Sequence, residues 1–155
     1  MSSRGLIPLA AAAALLSLAC GSGSADDDVL AMQSGTSFGF CPPTSYCATT
    51  LELTPSSAVL IKTSRAHGDL RRPGTLTTTE WADLVAGVDE EALRALPAVI
   101  GCPDCADGGA EWIEVTTADW TKRVTFEHGQ APPALQGLME RVRRIRSRLD
   151  RPEGS

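Results

Sequence analysis

The 155-residue sequence lacks asparagine and has only two lysines, one tyrosine and 5% aromatic residues. Beyond its first 20 residues it also lacks any apolar run of the roughly 20 residues that a transmembrane helix needs, which excludes a protein that crosses a membrane several times. Its formal charge of −5 argues against a general nucleic-acid binder. The length leaves room for a single domain.

The sequence begins with the pattern of a secretory signal peptide. One positive charge at Arg4 is followed by an apolar run from Leu6 to Ala19, so we expect residues 1–19 to be a cleaved leader. The run ends in Leu-Ser-Leu-Ala-Cys20, which resembles the lipobox of bacterial lipoproteins. That resemblance implies a lipid-modified Cys20 as the first residue of the mature chain. Gly21 after it implies sorting to the outer membrane, and cleavage without lipidation is the alternative.

The small and acidic residues that follow have nothing to bury. Residues 20–28 are therefore expected to be a lipid anchor with a flexible tether, and residues 29–149 a single folded domain. The polar residues 150–155 form an expected disordered tail. The expected location is the bacterial cell envelope, as an outer-membrane lipoprotein.

Within the domain, strand and helix patterns alternate. Strands are predicted at Val29–Met32, Thr49–Leu53, Ala58–Lys62, Arg71–Thr77, Glu111–Thr117 and Thr121–Phe126. Thr79 and Asp89 are predicted to cap two short helices, and Pro133 to begin a long one with an apolar stripe that ends at Leu149. These elements predict an α+β fold in which a small antiparallel sheet packs against short helices and a C-terminal amphipathic helix.

Besides Cys20, the chain has four cysteines, and an even number in an exported protein normally forms disulfides. Their closeness along the chain favours local pairs, Cys41 with Cys47 and Cys102 with Cys105, and crossed pairing is the alternative. A zinc site is disfavoured because Cys41 and Cys47 are too widely spaced. A CxxC redox site is disfavoured because turn residues, and not a helix, follow Cys105.

Other candidate sites have simpler interpretations. Gly35-Thr36-Ser37-Phe38-Gly39 matches the nucleophile elbow G-x-S-x-G, but Cys41-Pro42-Pro43 prevents the helix that must follow such an elbow. His67 and His128 are expected in solvated loops, and Trp112 and Trp120 in core or hairpin packing. No catalytic residue, metal ligand or cofactor is expected.

The last predicted helix is strongly basic, with arginines at positions 141, 143, 144, 146, 148 and 151. A solvated face that complements the helix dipole is the simpler interpretation. The functional alternative is contact with anionic lipid headgroups or polysaccharide near the anchor, through Arg141, Arg144 and Arg148. Arg146 falls inside the apolar arc, so it is expected to snorkel, to pair with an acid, or to lie where the helix has left the sheet.

Short motifs over about residues 31–145 resemble the emfourin family, small inhibitors of thermolysin-like metallopeptidases. They are Ser34-Gly35 followed by Phe38-Gly39, Asp107-Gly108 before the strand of Trp112, and Pro132-Pro133-Ala134-Leu135 opening a Leu-rich helix. The resemblance implies a protein partner that is a metallopeptidase. The four cysteines and the lipoprotein leader depart from the emfourin pattern.

These observations together predict an envelope lipoprotein, not an enzyme, whose domain binds another protein through its cysteine-closed loops. The residues expected to contact the partner are Pro42, Pro43, Tyr46, Pro103 and Asp104. One alternative is a structural envelope lipoprotein with no enzymatic partner, and another is the CxxC redox protein.

Overall fold

The structure, a computed structural model, describes residues 29–151. The expected leader, Cys20, the tether and all but the first two residues of the expected tail lie outside the described residues. The strands are β1 (Val29–Ser37), β2 (Tyr46–Thr54), β3 (Ser57–Ser64), β4 (Leu70–Thr75), β5 (Val99–Ile100), β6 (Ala110–Thr117) and β7 (Thr121–Glu127). The helices are α1 (Thr78–Val85), α2 (Glu90–Ala95) and α3 (Gln136–Asp150).

All seven strands form one sheet in the order β4-β3-β2-β1-β6-β7-β5. Neighbouring strands are antiparallel except β5 and β7, which are parallel. The predicted α+β class and the C-terminal helix are confirmed. The sheet, however, is larger than the small antiparallel one expected, and the parallel pairing of β5 with β7 makes it mixed. The sequence did not predict β5, because a strand of two residues is too short to show a pattern.

One face of the sheet carries the core. Alternate residues of β1, β2, β6 and β7 point to the helices, because successive side chains of a strand project to opposite faces. Buried side chains from these strands include Met32, Leu51, Leu53, Ile113, Val115, Val124 and Phe126. Helix α3 lies across them with Leu138, Met139, Val142 and Ile145 buried, as its apolar stripe predicts.

The helix starts follow capping chemistry. Asp89 caps α2 as predicted, since its carboxylate accepts a hydrogen bond from the Ala92 N–H at 2.9 Å. The cap of α1 is Thr77 and not Thr79, because Glu80 lies three residues after Thr77 and completes a capping box with it. Pro133 begins a short 3₁₀ turn that precedes α3.

Strand β1 is longer than its predicted range and sets the two ends of the domain. It continues to Ser37, paired with β2 and β6. The buried residues Ser34 and Thr36 in this part are polar, and this hides the strand in the sequence. At its start, Val29 pairs with Thr117. We call this end of the sheet the Val29 end. The opposite end, where β1 ends at Ser37, is called the disulfide end.

Candidate functional site

Two cysteine-closed loops lie at the disulfide end. Cys41, in the connection between β1 and β2, is bonded to Cys47 at the start of β2, with their Cα atoms 5.6 Å apart. Cys102 is bonded to Cys105 in the connection between β5 and β6, with their Cα atoms 5.5 Å apart. This is the local pairing that the sequence favours, and it uses all four cysteines that a zinc site would need.

The two loops contact each other, although they are far apart in the sequence. The Gly39 N–H donates a hydrogen bond to Asp104 Oδ1 at 3.1 Å, and this bond joins the first loop to the second. The ring of Phe38 lies against Gly109. Phe38 also packs edge-on against His128, with ring centroids 4.9 Å apart. The structure therefore combines the loops into one surface.

Phe40 is the most exposed large apolar side chain of this surface, at 81% of its full accessibility. It stands between Gly39, which is tied to Asp104, and Cys41, which is closed by its disulfide. Sequence reasoning missed Phe40, although an apolar residue directly before a cysteine-closed Pro-Pro loop was a usable signal. Tyr46, one of the residues predicted to contact the partner, is 37% exposed, and the Lys62 ammonium lies 5.2 Å from its ring centroid.

Backbone hydrogen bonds hold both loops in place. In the first loop, Ser45 N–H donates to the Pro42 carbonyl at 2.9 Å, and Ser64 Oγ donates to the Pro43 carbonyl at 3.2 Å. In the second loop, the Asp104 N–H donates to the Gly109 carbonyl at 3.1 Å. The predicted contact residues Pro42, Pro43, Tyr46, Pro103 and Asp104 thus belong to these two joined loops.

The second loop also has unusual backbone geometry. Asp104, Ala106 and Asp107 have φ values of 62°, 52° and 59°, a left-handed region that non-glycine residues seldom occupy. Such conformations cost of order 1 kcal/mol or more each and persist where the surroundings enforce them. Here the Cys102–Cys105 bond closes the loop, and Cys102 N–H donates to Glu127 Oε1 at 3.0 Å.

The surroundings of Cys102 and Cys105 do not favour thiol chemistry. Cys105 opens a three-residue 3₁₀ turn, Cys105–Asp107, so no α-helix N-terminus faces the pair. The nearby acidic side chains Asp104, Asp107 and Glu127 disfavour a thiolate, whereas reactive cysteines lie in electropositive surroundings.

The G-x-S-x-G match has a structural explanation. Ser37 is the last residue of β1, and the chain continues into the cysteine-closed loop and not into a helix. Gly35 lies beneath the indole of Trp112, where an added Cβ would stand 2.6 Å from the ring and 2.6 Å from the Thr49 carbonyl oxygen. His67 is exposed in the turn between β3 and β4, and His128 packs on Phe38.

The predicted packing of two tryptophans is also observed. Trp112 covers Gly35 and is covered in turn by the guanidinium of Arg123, 3.8 Å from the ring centroid. Trp120 packs against the core and donates from Nε1 to Glu90 Oε1 at 3.0 Å.

A buried carboxylate lies between the sheet and α3. The side chain of Glu111 is 1% exposed and accepts hydrogen bonds from Arg143 Nε at 3.1 Å and Arg146 Nη1 at 3.3 Å. Burial opposes the charge, but the two arginines and the Gly129 N–H outweigh it and hold the pKa of Glu111 below its usual range. Arg146 therefore pairs, one of the outcomes expected for an arginine inside the apolar arc.

The three arginines proposed to meet a membrane are not equivalent. Arg148 forms an ion pair with Glu80 and donates to the Thr75 carbonyl at 3.1 Å. Within residues 29–151, Arg141 and Arg144 have no ion pair; Arg144 is exposed and Arg141 is half-buried. The basic surface of α3 is thus partly neutralised by its own domain.

Residues 29–151 contain no group of three or more His, Cys, Asp or Glu side chains placed to hold a metal ion. None of the helices in that range is both long and apolar enough to cross a bilayer. No protein-family model matches the chain, and no curated protein is significantly similar to it.

Proposed function

We propose that this protein is a lipid-anchored protein of the bacterial envelope whose domain binds another protein through the disulfide end. The observation that carries the proposal is the exposed Phe40, which lies between Gly39, hydrogen-bonded to Asp104 of the second loop, and Cys41, bonded to Cys47. Exposed aromatic anchors with well-packed surroundings often supply much of the binding energy at protein interfaces.

The closed loops support this role energetically. A flexible loop loses conformational entropy when a partner orders it, which costs about 0.5–1.5 kcal/mol for each immobilised side chain. The disulfides and the hydrogen bonds of residues 38–45 and 101–109 fix much of this surface before binding. We therefore expect the backbone of the loops to change little when the partner docks.

The charge of the surface defines the partner further. The second loop and its surroundings carry three acidic side chains, Asp104, Asp107 and Glu127, and Asp104 is hydrogen-bonded to Gly39, next to Phe40. A complementary partner offers an apolar pocket for Phe40 with lysine or arginine at its rim, because opposite potentials favour encounter and register. Association should accordingly slow as salt is raised.

The position of the surface agrees with an anchored protein. The proposed anchor at Cys20 joins the domain at Val29, whereas Phe40 follows the other end of β1. A strand of nine residues spans about 26 Å at roughly 3.3 Å per residue. The binding surface then lies at the end of β1 opposite the anchored end, where the anchor does not block a partner.

The resemblance to emfourins makes a thermolysin-like metallopeptidase the first partner to test. The full chain, purified in detergent without reductant, is titrated against thermolysin while peptide hydrolysis is followed. Stoichiometric inhibition that weakens after reduction of the disulfides supports both the partner class and the loop surface. Absence of inhibition removes the metallopeptidase but not the surface, which needs its own test.

That second test uses two exposed apolar positions at opposite ends of β1. A photo-cross-linking phenylalanine analogue replaces Phe40 in one strain and Leu30, which is 54% exposed, in a control strain. We expect a discrete protein adduct from position 40 that disappears when Phe38 and Asp104 are also replaced by Ala. The same adduct from position 30, or none from position 40, contradicts the proposal.

A further inference from the structure

A groove of about 600 Å³ lies between α1 and α3, on the helix side of the domain. Arginines outnumber carboxylates in its lining by five to three, in a protein whose net charge is negative. The arginines are Arg141, Arg143, Arg144, Arg148 and Arg151, and the carboxylates are Glu80, Asp83 and Glu140.

Several of these charges already have partners. Glu80 pairs with Arg148, and Arg143 pairs with the buried Glu111. Among the described residues, Arg141 and Arg144 have no ion pair and lie one turn apart on α3, about 4.5 Å along its axis. Arg151, Asp83 and Glu140 of the lining have no ion pair within residues 29–151 either, so the unpaired charges of the groove are three arginines and two carboxylates, a net positive balance.

The described chain begins against the short segment that follows α1, which Arg141 also contacts. Val29 lines a small pocket together with Val85, Ala86 and Val88. The guanidinium of Arg141 lies directly against Gly87, between two of those residues. Val29 and Arg141 therefore flank the same three-residue segment after α1.

The sequence directly before Val29 is Asp26-Asp27-Asp28, the most concentrated acidic run of the chain. Three extended residues reach about 10 Å at roughly 3.3 Å each, and they start from Val29, which flanks the same segment after α1 as Arg141 does. We propose that the groove at Arg141 and Arg144 binds the acidic segment Asp26–Asp28 of the same chain.

An anionic lipid headgroup is the competing occupant, and it would come from the membrane and not from the protein itself. The acidic segment is attached next to the groove, so its effective concentration there is in the millimolar range or higher. The guanidinium groups of arginine bind carboxylates in fork geometry. The same acidic residues would also repel an anionic membrane from the groove, which favours the intramolecular occupant.

The first experiment measures cleavage of the full chain, in detergent, by an endopeptidase that cuts before aspartate. Arg141→Gln with Arg144→Gln should speed cleavage at Asp26–Asp28 about fivefold at low salt, because the released segment is accessible. The difference should vanish at high salt. Arg65→Gln with Arg71→Gln, on exposed arginines of another edge, is the matched control. Equal rates in all three proteins, or equal acceleration by the control, overturn the proposal.

The second experiment distinguishes the occupants with phosphatidylglycerol vesicles. The chain is made without its leader and lipid, so that the anchor does not itself bind the vesicles. Replacing Asp26, Asp27 and Asp28 by Asn should increase vesicle binding severalfold, and adding Arg141→Gln and Arg144→Gln should abolish the gain. This outcome shows that the acidic segment covers those two arginines. If the gain persists without the arginines, or if the wild type already binds vesicles through them as tightly as the Asn variant, the segment does not occupy the groove.

Discussion

Arg146 and Glu111 face each other between α3 and the sheet, with Nη1 and Oε1 3.3 Å apart. Their side chains are 15% and 1% exposed, and Arg146 Nη2 also donates to Ser34 Oγ at 2.7 Å in β1. Within residues 29–151, Arg146 Nε is buried without a hydrogen-bond partner. Two arginines thus depend on a single buried carboxylate.

We predict that Glu111→Ala destabilises the domain by about 3–5 kcal/mol, because it leaves Arg146 buried without its countercharge. Urea unfolding of the full chain measures the loss. Glu114→Ala, which removes the partner of the more exposed Arg123, is the control and should cost less than about 1 kcal/mol. The double variant Glu111→Leu with Arg146→Leu should be much more stable than Glu111→Leu alone, because it removes the unpaired charge. If it is not, the loss comes from altered packing and not from the unpaired charge.

The same carboxylate should produce a pH-dependent stability. Its pKa is lowered in the folded state, so its stabilisation is complete above the unfolded value of about 4.3 and is lost as the pH falls through the folded value. We expect the free energies of unfolding of the wild type and Glu111→Gln to converge as the pH falls below about 4. A difference independent of pH from 3 to 7 would contradict this.

Gly35→Ala should lower the free energy of unfolding by about 1–3 kcal/mol, because the new Cβ would stand 2.6 Å from both Trp112 and the Thr49 oxygen. Gly137→Ala, within α3 and with no atom near its added Cβ, is the matched control. It should be neutral or stabilising by up to about 1 kcal/mol. Thermal unfolding of both variants tests the pair.

Each disulfide should contribute about 2 kcal/mol to stability, since both close short loops. Chemical unfolding without reductant measures the loss of stability when one pair, Cys41 with Cys47 or Cys102 with Cys105, is replaced by Ala. Thiol titration of the denatured wild type should find none of these four residues free. Four free thiols in protein isolated from the envelope would contradict the pairing.

Cys20→Ala should release the protein from the membrane. Lipidation adds about 0.8 kcal/mol of membrane affinity for each buried CH₂, whereas no helix within residues 29–151 can span the bilayer. Labelling cells with a radioactive fatty acid and partitioning the protein between detergent and aqueous phases test this. Cys47→Ala controls for loss of a cysteine, and an unlabelled wild type would contradict lipidation.

The elements with strong periodicity were predictable from the sequence. The stripe of α3, the cap at Asp89 and the hairpin of β6 and β7 depend on local patterns, and all three are observed. The length of β1 was not predictable, because Ser34 and Thr36 are buried for reasons that lie in α3 and β2. The parallel strand β5 has two residues and depends wholly on β7.

The candidate surface was only half predictable. Each cysteine pair could be inferred from its spacing, but nothing local shows that the two loops meet. Their contact depends on the sheet order, which sets β6 beside β1 and so brings Asp104 to Gly39. Glu111 was missed for a similar reason: in the sequence it begins an ordinary alternating strand, and its burial depends on Arg143 and Arg146.

The position of β1 has a mechanical consequence. If the chain is held at the Val29 end and a partner pulls at Phe40, the tension passes along the covalent backbone of β1 alone. Both flanking strands, β2 and β6, are hydrogen-bonded to β1 along its length. The rest of the domain is therefore attached to the side of β1 and does not bear the force itself. Under that load neither disulfide lies in the path of the force, and the fold need not open for the linkage to hold.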